Sequence, residues 1–395
     1  MPLGVYISVP FCRTKCSYCN FASDVFSRAV FERYVDGVCA DIEKAPQVGA
    51  EMGGQTERAV DSIYLGGGTP TVLETSQLER IFGAARRSFD VSPDAEVTVE
   101  CAPGTLTPAT MGSLLRCGVN RVSLGVQSFV DQEAAAVGRL HKRATVLDDI
   151  AQFRAVGITN INIDLIAGLP HQTPESWEFS VAEAIATGAG HVSVYMLEVD
   201  EDSRLGRELM AGSTRYHAHF VPDEETMADF YVGACGQLAA AGIAQYEISN
   251  FAREGFESRH NLKYWTRQPY FGFGVDAHSM LASATPDIDA VRFAPADSLE
   301  QYMGGAALGR TPVSRRAALE ESFFLGLRLN RGVSLGELST KFGENAVENA
   351  LAATAELVEC GLMEQREDFI CLTARGRLLS NEVFERFILA DEIAR

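Results

Sequence analysis

The sequence predicts an α/β fold: an open six-unit (β/α)6 partial TIM-type barrel, followed by a C-terminal helical, winged-helix-like domain. Three observations predict it. Short β-branched runs alternate with helical stretches through the first half of the chain, an order that builds parallel sheets with helices packed against them. Polar residues and glycines gather at the ends of those runs, where barrel folds collect ligands. Beyond Arg310 the pattern changes to helices and one short hairpin.

The six runs lie at residues 5–9, 62–65, 96–100, 121–124, 160–164 and 191–195. Between the second and third, Ser76 and Glu79 have the form of a capping box, and Leu78, Ile81, Phe82, Ala85 and Phe89 then fall on one helical face. After the third run, Thr107 and Pro108 read as an N-cap with proline at the first helical position, and Gly118 closes that helix after Leu114 and Leu115. Six units fall short of the eight of a closed barrel. The barrel is therefore expected to be open over residues 1–220, with an extension at 221–310 and a third unit at 311–395. In that third unit Ser334 to Glu337 opens a helix, residues 345–360 form another, and 362–373 read as two strands around a charged turn. Residues 315–395 hold 10 Lys/Arg against 14 Asp/Glu, so this winged-helix outline suits packing or docking better than DNA binding.

A chain of 395 residues that is 46% hydrophobic can bury a large core. Its net charge of -19 argues against nucleic acid as a partner, since gripping phosphates needs clustered Lys and Arg. The N-terminus lacks the basic start and apolar stretch of a signal peptide, and no run is long enough to span a bilayer. The expected location is cytoplasmic, where thiols stay reduced and grouped cysteines serve metals rather than disulfides.

Cys12, Cys16 and Cys19 form a C-x3-C-x2-C loop interleaved with Arg13, Lys15 and Ser17. Buried free cysteines usually sit among apolar neighbours. A structural zinc and an ordinary four-iron cluster each take four protein ligands. Three thiolates therefore point to a cluster with one iron left open for a small molecule, and Phe21, which stands close by, cannot ligate. Cys39, Cys101, Cys117, Cys235, Cys360 and Cys371 have no metal-like spacing and read as reduced core residues. Gly66, Gly67 and Gly68, followed by Thr69, let backbone groups approach a ligand where a Cβ would collide, or else make a tight turn. Glu100, Gln127, Arg139 and Asp164 stand at or near successive strand ends. A carboxylate there can hold an amino group or a ribose hydroxyl, and an arginine can pair with a carboxylate. Singly each reads equally well as a structural ion pair; together they favour a cofactor cradle.

The cysteine spacing resembles that of the radical S-adenosylmethionine (SAM) superfamily, whose open iron is chelated by the SAM amino and carboxylate groups. The runs from Tyr6 to Cys12, Gly66 to Pro70, Gly125 to Phe129, Gly138 to His141, Asn162 to Thr173 and Tyr246 to Phe251 resemble the oxygen-independent coproporphyrinogen III oxidase family, over essentially the whole chain. The resemblance implies a radical SAM core with a 4Fe-4S cluster on Cys12, Cys16 and Cys19, flanked by Tyr6 and Tyr18. It also implies SAM against Gly67, Gly68 and Thr69, in a pocket completed by Glu100, Gln127, Arg139 and Asp164.

Two departures separate the chain from the oxidase branch, which has a further cysteine two residues past its third ligand and a long N-terminal extension. Here Phe21 stands at that position and only eleven residues precede Cys12. The run His260-Asn-Leu-Lys-Tyr-Trp265 instead resembles the HNxxYW signature of the heme-chaperone branch. That branch implies binding of heme and its delivery to apo-hemoproteins, membrane-bound respiratory enzymes among them, from the cytoplasm or the periphery of the inner membrane. It leaves a homodimer open. His260, with Tyr264 and Trp265 beside it, is a candidate heme ligand, although a lone histidine among aromatics is more often a hydrogen-bonded core residue. His278, and His217 with His219, are further candidates. The alternatives are a radical enzyme, either the oxidase itself or a methyltransferase or cyclopropane-forming relative, and a binding module with a vestigial cluster.

Overall fold

The computed structural model describes residues 1–201, 203–212, 214–352 and 355–388. The six predicted runs become strands β1 (Leu3–Val9), β2 (Ala59–Gly67), β3 (Asp90–Cys101), β4 (Arg121–Gln127), β5 (Asn160–Ala167) and β6 (His191–Met196). Each pairs in parallel with the next. The helices Ala29–Glu51, Thr75–Ser88, Pro108–Arg116, Arg143–Ala155 and Pro174–Ala186 fall between them. Alternate residues of a strand face opposite sides of the sheet, and the two sides differ in chemistry. Val122, Leu124 and Val126 of β4 and Ile161, Ile163 and Leu165 of β5 are buried in the apolar core. The residues between them, Ser123, Asn162 and Asp164, join one hydrogen-bonded polar network.

The sheet stays open. Six further strands extend it: β7 (Ala244–Gln245), β8 (Asn250–Ala252), β9 (Tyr270–Phe273), β10 (Ser279–Ala282), β11 (Ile288–Ala294) and β12 (Gly309–Ser314). The order is β12-β11-β10-β9-β1-β2-β3-β4-β5-β6-β8-β7. β9 joins β1 in parallel, whereas β8 joins β6 antiparallel. Sequence reading counted only the six central strands, because the added ones are short or lie in hairpins at the flanks, where hydrophobic alternation is weak.

The helix after β2 begins one residue before the expected capping box. Its box is made by Gln77, whose side chain accepts the backbone N–H of Glu74 at 3.0 Å, so Ser76 and Glu79 lie inside the helix. The apolar face is as expected, with Leu78, Ile81, Phe82, Ala85 and Phe89 all buried. Thr107 caps the next helix by accepting the N–H of Thr110 at 3.1 Å, and Gly118 follows its end at φ 76°. In the C-terminal region Ser334 caps the helix Leu335–Phe342. Strands β13 (Val333–Ser334), β14 (Met363–Arg366) and β15 (Phe369–Leu372) form a small sheet in the order β13-β15-β14. The helix expected over 345–360 is found as Glu344–Ala352 and Ala355–Glu359, and its residues 353–354, like 389–395, lie outside the described residues. This region has its own apolar core around Phe323, Leu327, Met363 and Phe387. Of the six cysteines expected in the core, Cys101, Cys117 and Cys371 are buried and Cys39 and Cys235 half-buried, but Cys360 is exposed, following the last turn of a surface helix.

Candidate functional site

The cysteine loop leaves β1 at its C-terminal end. Phe11, fully buried, stacks on Phe31 at 3.9 Å and meets Tyr34 edge-on, which fixes where the loop starts. Its far side is tied back where the Cys12 N–H donates to the carbonyl of Asp24 and the Asp24 N–H to that of Pro10, each at 3.0 Å. Cys16 is buried, and Cys12 and Cys19 are half-buried. Each sulfur has a polar neighbour: the Thr69 hydroxyl 3.9 Å from Cys12, the Arg139 guanidinium 3.6 Å from Cys16 and the Ser23 hydroxyl 4.0 Å from Cys19. Burial pushes the Cys12 thiol pKa up. Among the described residues no three His, Cys, Asp or Glu side chains converge closely enough to hold a single metal ion.

The glycine run at the end of β2 fills the space beside that loop, and it admits no side chains. A Cβ on Gly68 would stand 2.8 Å from the Phe11 carbonyl oxygen and 3.0 Å from Cys12 Sγ. Gly67 has φ 105°, and a Cβ on Gly66 would meet the Glu100 carboxylate at 2.9 Å. Glu100 accepts from the Tyr64 hydroxyl at 2.9 Å and from the Gly67 N–H at 3.0 Å. Burial, reinforced by the charge of Asp164, pushes its pKa up to about 7. Asp164 accepts from the Ser123 hydroxyl at 3.0 Å and from the Asn162 amide at 2.7 Å, and burial raises its pKa too.

Gln127 and Arg139 stand together over Gly125, where a Cβ would meet Gln127 Nε2 at 3.1 Å and Arg139 Nη2 at 3.0 Å. Gln127 has φ 69°, and its buried Oε1 has no hydrogen-bond partner among the described residues. A buried orphan acceptor is costly, and this one lies in the ring of polar groups around the strand ends. Burial opposes the Arg139 charge, but Tyr18 and Cys16 outweigh it and the guanidinium remains cationic.

The two tyrosines part company. Tyr18 lies in the loop and packs against the apolar cluster of Val137, Leu169 and Leu197. Tyr6 lies three residues before the end of β1, with Tyr64 and His260 as ring neighbours at 6.1 and 6.4 Å. His260 belongs to the short helix Arg259–Trp265, toward the N-terminal ends of β1 and β2 and thus away from the cysteine loop. Glu96 accepts the N–H groups of Arg259 and His260, each at 3.1 Å. The imidazole is 1% exposed, with Nδ1 3.0 Å from the Ser62 hydroxyl and Nε2 2.9 Å from that of Tyr264. Burial, then the charge of Lys263, lowers its pKa to about 3. Gly4 allows this close packing, since a Cβ there would stand 2.9 Å from Lys263 Cδ. His278 is exposed, 3.5 Å from Asp276.

Sequence reasoning missed the partners that aim these groups. Tyr64, Ser123, Asn162, Ser193 and His191 form much of the polar lining, with His191 bridging the Asn162 side-chain Oδ1 at 2.6 Å and the Tyr246 hydroxyl at 2.9 Å. The signal was present in the polar positions 160, 162 and 164, and 191 and 193, spaced two apart.

Comparison with known proteins bears on the whole length. The chain matches the Radical SAM superfamily over residues 6–184 and the HemN C-terminal domain over residues 313–379. Heme chaperone HemW of Bacillus subtilis is 34% identical over 98% of this chain and 99% of its own. The chain belongs to the HemW family. Other HemW relatives are similar from end to end: that of Mycobacterium tuberculosis is 33% identical over 97% of this chain and 94% of its own, and that of Escherichia coli 30% identical over 98% of both. Among solved structures, the coproporphyrinogen III oxidase HemN of Escherichia coli, described as a radical SAM enzyme, is similar with a TM-score of 0.82 and 25% identity, over 98% of this chain and 90% of that one. The HemW family and HemN thus share the architecture described above.

Proposed function

We propose that this chain is a heme chaperone of the radical SAM superfamily, binding a 4Fe-4S cluster, SAM and heme and delivering heme to apo-hemoproteins. The observation that carries this reading is end-to-end similarity to proteins named as heme chaperones, in a chain that keeps a full set of cluster- and SAM-type residues. Cys12, Cys16 and Cys19 would hold the cluster, and Gly67, Gly68, Thr69, Glu100, Gln127, Arg139 and Asp164 would hold SAM. The residues fit these groups. Three thiols with polar neighbours supply three ligands, a glycine cradle leaves room that any Cβ would fill, and the buried Gln127 Oε1 offers an acceptor that no described residue engages. When bound, the cluster and SAM supply one-electron chemistry.

The chain's own residues position and tune. Arg139 steadies negative charge on Cys16. Glu100 and Asp164 form an acidic pair able to receive an ammonium or a ribose, with Tyr64, Ser123 and Asn162 holding the carboxylates in place. His260 closes the far end of the barrel and ties the helix Arg259–Trp265 to β2. We place the acceptors among apo-hemoproteins, including membrane-bound respiratory enzymes. Among the described residues no helix is long and apolar enough to cross a membrane.

The deciding experiment is anaerobic incubation of the reconstituted protein with SAM, reductant, hemin and coproporphyrinogen III, followed by analysis of products and of heme transfer to an apo-hemoprotein. Stoichiometric heme binding and transfer without decarboxylation is the expected result. Robust formation of protoporphyrinogen IX would restore the oxidase reading.

A further inference from the structure

A cluster of imidazoles lies at the same end of the barrel as the cysteine loop. His171 stands in the turn that follows β5, four residues past its end. His217 and His219 flank Ala218 in a segment that folds back onto that turn, where the His171 N–H donates to the Phe220 carbonyl at 3.1 Å. Nε2 of His171 is 3.3 Å from Nδ1 of His217, and the rings of His171 and His219 each lie 4.1 Å from that of Phe220. We propose that His217, backed by His171, is the axial ligand this chain offers to heme iron. The inference rests on the heme-binding reading above and names the site.

Four observations support it. First, both residues are held in left-handed backbone conformations, His171 at φ 71° and His217 at φ 63°. Non-glycine residues there carry strain that surrounding structure must impose, and such strain gathers at functional sites. At His217 the structure imposes it through Glu208, a buried carboxylate that accepts the N–H groups of Tyr216 at 2.6 Å and Ala218 at 3.1 Å.

Second, the pairing is that of a ligand and its support. A ligating imidazole normally donates its other ring N–H to an acceptor, which fixes the ring and raises its basicity. Nε2 of His171 stands 3.3 Å from Nδ1 of His217, and in the tautomer that leaves this nitrogen unprotonated it accepts the His217 N–H. In that tautomer Nε2 of His217 carries the free lone pair, and it has no hydrogen-bond partner among the described residues.

Third, the surroundings suit a porphyrin rather than a bare ion. Phe220 is 47% exposed, and Leu209 and Met210 of the adjoining helix Arg204–Ala211 are 55% and 74% exposed. Arg215, two residues before His217, is an exposed cation of the kind that pairs with a propionate. Among the described residues no third ligand converges to complete a site for a free metal ion, whereas heme brings four nitrogens of its own and needs only an axial donor.

Fourth, the site abuts the cysteine loop. Ala218 shares an apolar cluster with Tyr18, and the N–H of Leu205 donates to the carbonyl of Ser17 at 2.8 Å. By contrast, His260 has both ring nitrogens engaged in the interior.

The test is hemin titration of the anaerobically reconstituted full chain, followed by absorbance and resonance Raman spectra, in wild type and in H217N, H217M, H171N, H260Q and H278N. Asparagine tolerates the left-handed conformation, and cluster iron and sulfide report on folding. H217N should shift the Soret band and weaken hemin binding by about tenfold or more, the loss of roughly 1.4 kcal/mol. H217M, which offers a thioether, should hold hemin with a displaced band. H171N should bind several-fold more weakly, while H260Q and H278N should match wild type. A wild-type band and affinity in H217N or H217M overturns the proposal, as does a shift that appears only in H260Q or H278N. Failure of the wild-type protein to bind hemin at all would overturn the heme-carrier reading itself, and this site with it.

Discussion

Replacing His260 by Gln separates a structural imidazole from an iron ligand. In the folded chain the ring is neutral, with a pKa of about 3 imposed first by burial and then by Lys263; in the unfolded chain it titrates near 6.5. A depressed folded pKa means that the unfolded state binds the extra proton. The contribution of His260 to stability is thus fully present above about pH 6.5 and is lost as the pH falls toward 3. The whole gap is on the order of 5 kcal/mol. Most of it lies below any pH that a cluster protein tolerates. Between about pH 7.5 and pH 5.5 the wild type should lose about 1 kcal/mol through this group. His191 and His141, whose pKa values are also lowered by burial, act in the same direction, while Glu100 and Asp164, with raised values, act against it. The informative quantity is therefore the difference between wild type and H260Q. Gln cannot titrate and misfits the hydroxyls of Ser62 and Tyr264, so H260Q should be less stable by about 1–3 kcal/mol near neutral pH. That deficit should shrink by about 1 kcal/mol at pH 5.5. Urea unfolding followed by circular dichroism at the two pH values measures both numbers. A deficit that does not change with pH would refute the buried neutral imidazole, and loss of the heme Soret band in a folded H260Q would refute its structural assignment.

Cys16→Ala should fail to assemble a complete four-iron cluster under anaerobic reconstitution, judged by iron and sulfide content; a full cluster would remove Cys16 from the ligand set. Gly68→Ala should disturb cluster assembly and destabilise by about 1–3 kcal/mol, because the new Cβ meets backbone oxygens of Phe11 and Val9 at 2.8 and 3.0 Å that cannot rotate away; wild-type cluster content in that variant would show that the loops yield easily. SAM affinity should rise about tenfold per pH unit up to about pH 7 and level off above it, since a cationic ligand favours ionised Glu100, whose pKa is raised to about 7 by burial and Asp164. Calorimetry in buffers of different ionisation enthalpy would count the proton released, and a pH-independent affinity would free Glu100 of contact with the ligand.

The central strands were legible because apolar and polar residues alternate in them: Asn160, Asn162 and Asp164 share one face of β5, while Ile161 and Ile163 occupy the other. The cysteine loop was legible for a different reason, since three thiolates must lie close in sequence to share one tight turn. The destination of His260 was not. It depends on the helix Arg259–Trp265 docking beside Ser62, 198 residues away, and nothing local encodes that register. Tyr6 fell to the same difficulty: its place among Tyr64 and His260 follows from strand pairing, not from its distance to Cys12 along the chain. The pair His171 and His217 is joined only because two separate turns fold onto one another, and the left-handed conformations that hold it leave no mark in residues that usually avoid them.

The unclosed edge of the sheet bears on how a large, flat cargo could be handled. In a closed barrel the number of strands and their stagger set the diameter, so widening the interior means breaking rungs of the ladder. A sheet that ends at β12 on one side and β7 on the other is under no such constraint. Small changes of twist shared over many strand pairs alter its curvature while every rung remains intact. The breadth of the cleft then follows from that curvature, while the cysteine loop, tied to Asp24 and to Leu205 of the helix Arg204–Ala211, keeps its place at the strand ends beside the glycine run.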